Sequence, residues 1–272
     1  MPKTEVIYVT FARDLDWLRF SLESFVKFGK GFSGVKIVVP TWDVNKFLQF
    51  ERYSTPECPV LIKNFMEYPS KGFVHHLAMK CYGDVFCPDA DFVLHMDPDC
   101  LFTAPFTPED YIVGSSPTSD IINLEKEEYM WYRPILVIEP YEVLKTVHPA
   151  RYNWKQVTEA AVKFDVSHET MCRHPAVHPR KTYKLTRDVI ESAHGTPFID
   201  FVIKQKNSYP QGFGEFNTLG AVAMEHLSES YIFVDRENIG IAADPPSKLW
   251  QGWSYTGVHS KENAAKIKEI LG

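Results

Sequence analysis

The stretch ADFVLHMDPDCLF, residues 90–102, narrows the choice of fold more than any other part of the sequence. Its apolar run at residues 91–96 predicts a buried strand. Two carboxylates, Asp97 and Asp99, follow that run directly, on either side of Pro98. In sheets of parallel strands, ligands bind at the carboxyl ends of the strands. The stretch therefore predicts a central strand that ends in a polar binding site.

Short apolar runs rich in β-branched residues predict three further strands, at residues 5–11, 35–40 and 60–63. The helical spacing of apolar residues predicts a first helix with Asp14 as its N-cap and an end at Gly29. A second helix is predicted at residues 71–83. Strands joined through helices imply right-handed crossovers. The pattern therefore predicts an α/β fold with a mostly parallel central sheet flanked by helices.

The second half of the chain is less regular. Its predicted strands lie at residues 133–138 and 231–235, and its predicted helices at 141–146, 156–164, 187–204, from Glu215 onward, and after an N-cap at Ser260. Residues 244–257 are predicted to form an irregular loop. Since no repeat or low-complexity linker divides the sequence, residues 1–272 are predicted to form a single domain.

The composition excludes several classes of protein. The net charge of −6 argues against a broad nucleic-acid-binding face. No apolar run approaches the roughly 18 residues that a membrane span needs, and a strand begins so early that we expect no signal peptide. The cysteines are odd in number and form no CxxC pair, which predicts reduced thiols and a cytoplasmic protein.

The pair Asp97 and Asp99 carries the predicted chemistry. Carboxylate oxygens on a short segment stiffened by Pro98 suit Mg²⁺ or Mn²⁺, which commonly take further ligands from substrate phosphates. Asp-x-Asp also occurs at residues 14–16 and 89–91, so the motif alone is a weak signal. The position of Asp97 and Asp99 at the end of a buried strand is what favours a metal site. The alternative is a strand-to-loop turn in which the aspartates accept backbone N–H bonds.

Three segments resemble the GT-A glycosyltransferases in order and spacing: VIYVTFARDLDWLRFSLESF (6–25), IVVP (37–40) and DFVLHMDPDCLF (91–102). The likeness is to a poorly characterised bacterial and viral branch in particular. It implies a single Rossmann-like domain. Residues 1–110 would be its nucleotide-binding half, and residues 111–272 its acceptor-binding half with a C-terminal strap.

The resemblance also implies roles for single residues. Thr10, Phe11, Arg13 and Asp16, on the loop after the first strand, would contact the base and ribose of a nucleoside-diphosphate sugar. Lys80 would neutralise the diphosphate, and Asp97 and Asp99 would bind the metal and the diphosphate. His75 and His76 stand where the similar branch has a glutamine pair, so their role stays open.

The segment YPQGFGEFNTLGAVA, residues 209–223, places Glu215 at a predicted helix start. In an inverting transfer, this carboxylate would take the proton from the acceptor hydroxyl. In a retaining transfer, it would bind the donor sugar instead. Asn217 would hold a sugar hydroxyl. The alternative for Glu215 is a carboxylate placed there only by the helix dipole and capping.

The C-terminal segment WQGWSYTGVHS, residues 250–260, adds His259 as a further metal ligand and Trp253 as a side chain closing over the donor. The alternative is a strap of aromatic residues that packs on the core. A zinc site at His174 and His178 is disfavoured because a proline follows each histidine, which excludes a helix.

These features together predict a metal-dependent glycosyltransferase, either a hexosyl- or a pentosyltransferase, with a UDP-sugar as the favoured donor. The acceptor would be a glycan or a glycoconjugate; the net charge disfavours a modified nucleic acid. One alternative is a metal-dependent nucleotidyltransferase or sugar-nucleotide hydrolase, although TFARDLDW (10–17) lacks the glycine- and lysine-rich loop usual there. The other is a non-catalytic nucleotide- or glycan-binding module.

Overall fold

The computed structural model of the protein describes residues 2–65, 72–114, 132–171, 175–206, 212–236, 248–252 and 257–272. Its strands are β1 Thr4–Val9, β2 Gly34–Pro40, β3 Val60–Phe65, β4 Phe92–His95, β5 Cys100–Phe102, β6 Ile112–Gly114, β7 Tyr132–Pro140, β8 His168–Glu169, β9 Ala176–Pro179, β10 Ile232–Asp235 and β11 Leu249–Gln251. Its α-helices are α1 Leu15–Phe28, α2 Val44–Phe47, α3 Gly72–Lys80, α4 Gly83–Phe86, α5 Tyr141–Val147, α6 Pro149–Tyr152, α7 Trp154–Val162, α8 Arg180–His194, α9 Phe198–Ile203, α10 Glu215–His226 and α11 Lys261–Leu271.

The central sheet has five strands in the order β3-β2-β1-β4-β9. The first four are parallel, and β9 pairs antiparallel with β4. The predicted α/β fold with a mostly parallel sheet is therefore confirmed. Strands β1 and β2 are buried along their whole length, which explains why they read as continuous apolar runs rather than as alternating ones.

Helices cover both faces of this sheet. Alternate residues of β1 point to opposite sides, so Ile7 and Val9 join one apolar cluster whereas Val6 and Tyr8 join the other. The first cluster takes side chains from α3, α8, α9 and α10, and the second takes them from α1. The two clusters pack the sheet between its helices, and loops follow the carboxyl ends of its strands.

Two smaller sheets complete the described part of the chain. Strand β7 lies between β10, which is parallel to it, and β6, which is antiparallel, and it also pairs with β8. Strand β11 pairs antiparallel with β5. This last pairing corrects the prediction of an irregular loop over residues 244–257, because residues 249–251 form a strand. Three residues are too few for the alternation that marks a strand in sequence.

The predicted helix at residues 187–204 is also corrected, because the structure has two helices there. Helix α8 begins at Arg180 and ends at His194, before Gly195, whose φ of 61° is left-handed and favours glycine. Helix α9 starts after Pro197. The predicted terminal helix is confirmed, since the Ser260 side chain accepts a hydrogen bond from the backbone N–H of Asn263.

Asp14 is the N-cap residue of α1, as predicted, although it caps the helix by position only. Its side chain makes no capping hydrogen bond. The carboxylate lies 3.6 Å from Nε of Arg13 instead. Within the described ranges, no helix has the length and apolar character needed to cross a membrane. Cys58, Cys81, Cys87 and Cys100 are free thiols, and Cys172 lies outside the described residues.

Candidate active site

The segment after β4 is a tight turn at the carboxyl edge of the central sheet. The backbone N–H of Met96 donates to the carbonyl of Ile7, which carries the β1–β4 pairing one residue further. The N–H of Cys100 then donates to the carbonyl of Asp97 at 3.0 Å and closes the turn before β5. The turn therefore carries both aspartates at the carboxyl end of β4, the end of a parallel strand at which ligands commonly bind.

Lys80 is the centre of the candidate site. It ends α3, is 4% exposed, and donates to Oδ1 of Asp97 at 2.9 Å and to Oε1 of Glu215 at 2.8 Å. Its ammonium also lies 4.6 Å from the centre of the Phe216 ring. Burial on its own lowers the pKa of Lys80, but the charges of Asp97 and Glu215 outweigh burial and raise the pKa above its ordinary value. The side chain is therefore a fixed cation between two carboxylates.

Glu215 reaches this cation because α10 begins in a tightly packed place. Gly214 precedes the helix, and a Cβ at that position would lie 2.9 Å from the ring of Trp154, so only glycine fits. The hydroxyl of Thr218 donates to the carbonyl of Gly214 at 2.6 Å. The first nine residues of α10 are all buried, and the helix N-terminus favours an anion. Packing thus fixes Glu215 against Lys80.

Asp99 is held by the C-terminal strand β11. Nε2 of Gln251 donates to Oδ1 of Asp99 at 3.3 Å, and the backbone N–H of Gly252 donates to the carbonyl of Asp99 at 2.8 Å. Asp99 is 6% exposed. The Cys100 thiol lies 3.9 Å from Oδ1 of Asp99, and burial, together with the charges of Asp99 and Asp97, raises its pKa.

The donor set fits a divalent cation in the chemistry of its atoms, because carboxylate oxygens are the ligands that such ions prefer. Asp97, Asp99 and Glu215 supply three carboxylates, and Lys80 supplies one compensating positive charge. Among the described residues, no three His, Cys, Asp or Glu side chains converge as a ready metal site. Two carboxylates with ligands completed by substrate phosphates and water are the arrangement that Mg²⁺ and Mn²⁺ commonly take.

Asp14 adds a carboxylate that the sequence suggested only as a cap. It is buried, and burial raises its pKa above the ordinary value, with Arg13 acting in the opposite direction and the charge of Asp97 adding to the rise. An Asp at a helix start is so common in sequences that no local signal distinguishes this one.

The loop after β1 lies beside this site. Thr10 is fully buried, and its N–H donates to the carbonyl of Val38. The Phe11 ring is 4.7 Å from the ring of His76, and the guanidinium of Arg13, a 73% exposed side chain, lies 5.5 Å from the Phe11 ring centre. The structure thus places the predicted residues Thr10, Phe11 and Arg13 together at the carboxyl end of β1.

His76 has a clear structural role at the same edge. Its Nε2 is 2.6 Å from the carbonyl oxygen of Val9, and because a carbonyl only accepts, Nε2 carries the proton. Burial, with a contribution from Lys80, lowers the pKa of His76 to about 3. The ring is thus neutral and ties α3 to the end of β1. The ring of His75 packs edge-on against Phe65, 5.2 Å away, and burial lowers its pKa.

Other predicted site residues have different partners. His259 and Asp16 pair with each other at 3.4 Å on the surface, with 77% and 56% of their side chains exposed. The Asn217 side-chain oxygen accepts from the backbone N–H groups of Thr170 and Met171 at 2.8 and 3.1 Å, so it braces that segment. The predicted ligand contacts of His259, Asp16 and Asn217 stay predictions. Trp253 lies outside the described residues.

Comparisons with known proteins give structural likenesses only. No family model and no curated protein matches the chain. A structure of the glycosyltransferase GlyE from Streptococcus pneumoniae TIGR4 matches with a TM-score of 0.43 and 9% identity, over 86% of this chain and 45% of that one. The apo-form of GlyE matches with a TM-score of 0.31 and 12% identity, over 46% and 32%. TarS from S. aureus matches with a TM-score of 0.28 and 16% identity, over 38% and 18%.

The chain thus spans less than half the length of each of these structures. The matches include glycosyltransferases, the class that the sequence resembles. Because their TM-scores lie below 0.5, the reaction has to be inferred from the site itself.

Proposed function

We propose that this chain is a metal-dependent glycosyltransferase that moves a sugar from a nucleoside-diphosphate sugar to a hydroxyl acceptor. The observation that carries the proposal is the bridge made by Lys80, which joins Asp97 to Glu215 at the carboxyl end of β4. Asp97, predicted to bind the sugar donor, and Glu215, predicted to act on the acceptor hydroxyl, therefore contact the same ammonium. A cation buried between carboxylates in this position is a site for charge that develops during a reaction.

On the donor side, Asp97, Asp99 and Lys80 would hold the diphosphate. A bound Mn²⁺ or Mg²⁺ would supply a positive charge beside the phosphate oxygens. As the bond between the anomeric carbon and the diphosphate oxygen breaks, its electron pair stays on that oxygen. The ammonium of Lys80 is already fixed by two carboxylates, so it would stabilise this charge without reorganising.

On the acceptor side, Glu215 is the candidate base. The acceptor oxygen forms a bond to the anomeric carbon while its O–H bond breaks, and the proton passes to the Glu215 carboxylate. The rigid start of α10 keeps this carboxylate in one position, which favours a base that must meet the acceptor in a single geometry.

The finer parts of the proposal come from the sequence. A UDP-sugar is the favoured donor, with Thr10, Phe11 and Arg13 at the nucleotide and a hexosyl or pentosyl group transferred. The acceptor would be a glycan or glycoconjugate, and the site would act in the cytoplasm, as the odd cysteine count indicates.

A donor screen tests this function. The full chain is incubated with UDP- and GDP-sugars in the presence of Mn²⁺ or of EDTA, and the released nucleoside diphosphate is measured. We expect release from one nucleotide family with Mn²⁺ and none with EDTA. Release of a sugar phosphate instead would indicate a sugar-nucleotide hydrolase that cleaves the diphosphate. If no donor gave any product, the remaining interpretation would be a non-catalytic binding module.

A further inference from the structure

The C-terminal strand β11 runs beside the residues that follow Asp99. The register pairs Gln251 with Cys100 and Trp250 with Leu101 in an antiparallel ladder. Gln251 is 152 positions away from Asp99 in sequence, yet this ladder delivers its side chain to the Asp99 carboxylate. No local pattern in the sequence predicts this contact.

Gln251 and Gly252 together hold Asp99 at two points. The Gln251 amide donates to the carboxylate, and the Gly252 backbone N–H donates to the carbonyl of the same residue. One contact fixes the backbone of Asp99 and the other fixes the rotation of its side chain. A carboxylate oriented in this way loses less freedom when it binds an ion.

Packing keeps β11 in this register. A Cβ on Gly252 would lie 2.2 Å from the ring of Trp17, so the strand can pass this close to α1 only with glycine. The ring of Trp250 lies 6.1 Å from that of Trp17. At the other end, Lys248 pairs with Asp110 at 2.7 Å, and its carbonyl accepts from the N–H of Thr103. The position of Gln251 is therefore built into the fold.

The two aspartates of the turn have partners of different charge. Asp97 contacts the ammonium of Lys80, whereas Asp99 contacts the neutral amide of Gln251. An amide orients a carboxylate without cancelling its negative charge, so it does not compete with a cation for that charge. The two carboxylates are therefore oriented in different ways, Asp97 by a cation and Asp99 by an amide.

We infer that Gln251 is a positioning residue that orients the Asp99 carboxylate for a divalent cation. The inference rests on the proposed function. Outer partners of metal ligands typically change metal affinity 10- to 100-fold when they are removed. Gln251→Met keeps the length of the side chain and removes the amide donor, and Gln251→Ala is a second variant with a smaller demand on packing.

The test is a titration of the full chain with Mn²⁺, in the presence of UDP or of GDP, in which free Mn²⁺ is measured by electron paramagnetic resonance. The same titration of the nucleotide without protein gives the Mn²⁺ that the nucleotide binds by itself. We expect both variants to bind Mn²⁺ about 10- to 100-fold more weakly than the wild type, with cooperative thermal unfolding retained. Gln49→Met is the matched control, because Gln49 donates only to the exposed backbone of Lys46, and it should leave Mn²⁺ binding unchanged.

Turnover gives a second measurement. The variants should raise the Mn²⁺ concentration needed for half-maximal rate, with a much smaller change in kcat at saturating Mn²⁺. If the wild type binds Mn²⁺ and the folded variants bind it equally well, the role of Gln251 is wrong and the transferase proposal stands. If the wild type itself binds no Mn²⁺ with either UDP or GDP present, both are wrong.

Discussion

Lys80 and Glu215 lie 2.8 Å apart in the interior of the protein, although 135 positions separate them in the sequence. Each is 4% exposed. The same ammonium also contacts Asp97, so α3, α10 and the turn after β4 meet at one nitrogen atom. Because two carboxylates depend on one cation, this contact connects the stability of the protein with the chemistry of the site.

Replacing Lys80 should lower the stability of the protein. Lys80→Met leaves Glu215 buried without its cation, and breaking a buried ion pair in this way costs on the order of 3–5 kcal/mol in the free energy of unfolding. Urea unfolding measures that loss. Lys184→Met is the control, since Lys184 pairs with Asp188 on the surface and should contribute less than about 1 kcal/mol. An equal effect of the two substitutions would contradict a buried bridge.

Replacing Asp99 should affect turnover far more than stability. Asp99→Asn keeps the shape of the side chain and removes the charge, and we expect a fall in kcat/KM of at least about 100-fold. The measurement is nucleoside diphosphate release at saturating Mn²⁺. Asp89→Asn is the control, because Asp89 belongs to another Asp-x-Asp but is exposed. Near-normal turnover of Asp99→Asn would leave the turn with a structural role only.

Glu215→Gln separates a base from a donor-binding residue. If Glu215 accepts the proton of the acceptor, the variant should bind nucleoside diphosphate within a few-fold of the wild type while the transfer rate falls about 100- to 10,000-fold. Calorimetry gives the first quantity and initial rates the second. Glu225→Gln, at the exposed end of the same helix, should change neither. A comparable loss of donor binding would assign Glu215 to the donor sugar.

His178 should make the protein less stable in mild acid. It is fully buried beside the Tyr231 hydroxyl, 2.9 Å from its Nδ1, and burial lowers its pKa to about 3. In the unfolded chain His178 takes up a proton below about pH 6.5, whereas in the folded chain it stays neutral down to about pH 3. The contribution of neutral His178 to the free energy of unfolding is therefore complete above about pH 6.5 and declines as the pH falls toward 3. Between pH 7 and pH 5 the loss is about 2 kcal/mol.

Urea unfolding at several pH values measures this slope. His178→Asn removes one titrating group and should reduce the slope between pH 6.5 and 5, whatever it does to the stability at pH 7. Part of the slope should remain, because burial also lowers the pKa of His76 to about 3. His148→Asn, at an exposed position, should keep the wild-type slope. If His178→Asn also kept the wild-type slope, the buried histidine would not be the cause.

The parts of the fold that were predictable from sequence are those with local patterns. The apolar runs of β1 and β4, the turn at Asp97 and the helix start at Glu215 lie where the sequence indicates them. Buried strands and helix starts leave such patterns because their residues share one environment over several positions. That is why Asp97, Asp99 and Glu215 could be named before their contacts were known, whereas Lys80 was named from the resemblance to the GT-A glycosyltransferases.

The rest depends on contacts between residues far apart in sequence. The strand containing Gln251 has three residues, too few for a period, and its partner strand lies about 150 positions earlier. Gly195 adopts a left-handed conformation, which ends α8 inside the predicted helix at residues 187–204. A glycine in the sequence does not by itself show that a helix ends there. The proton of His76 lies on Nε2 because this atom faces the carbonyl oxygen of Val9. The two residues come together only in the folded chain.

The measurement that tests the central claim most directly is calorimetric titration of UDP and of GDP into the full chain, with Mn²⁺ and with EDTA. The wild type should bind one of the two with Mn²⁺ and should lose that binding in EDTA, and Asp97→Asn should weaken it strongly. Binding that is equal in Mn²⁺ and EDTA, or no binding of either nucleotide with Mn²⁺, would contradict a metal-dependent donor site at Asp97 and Asp99.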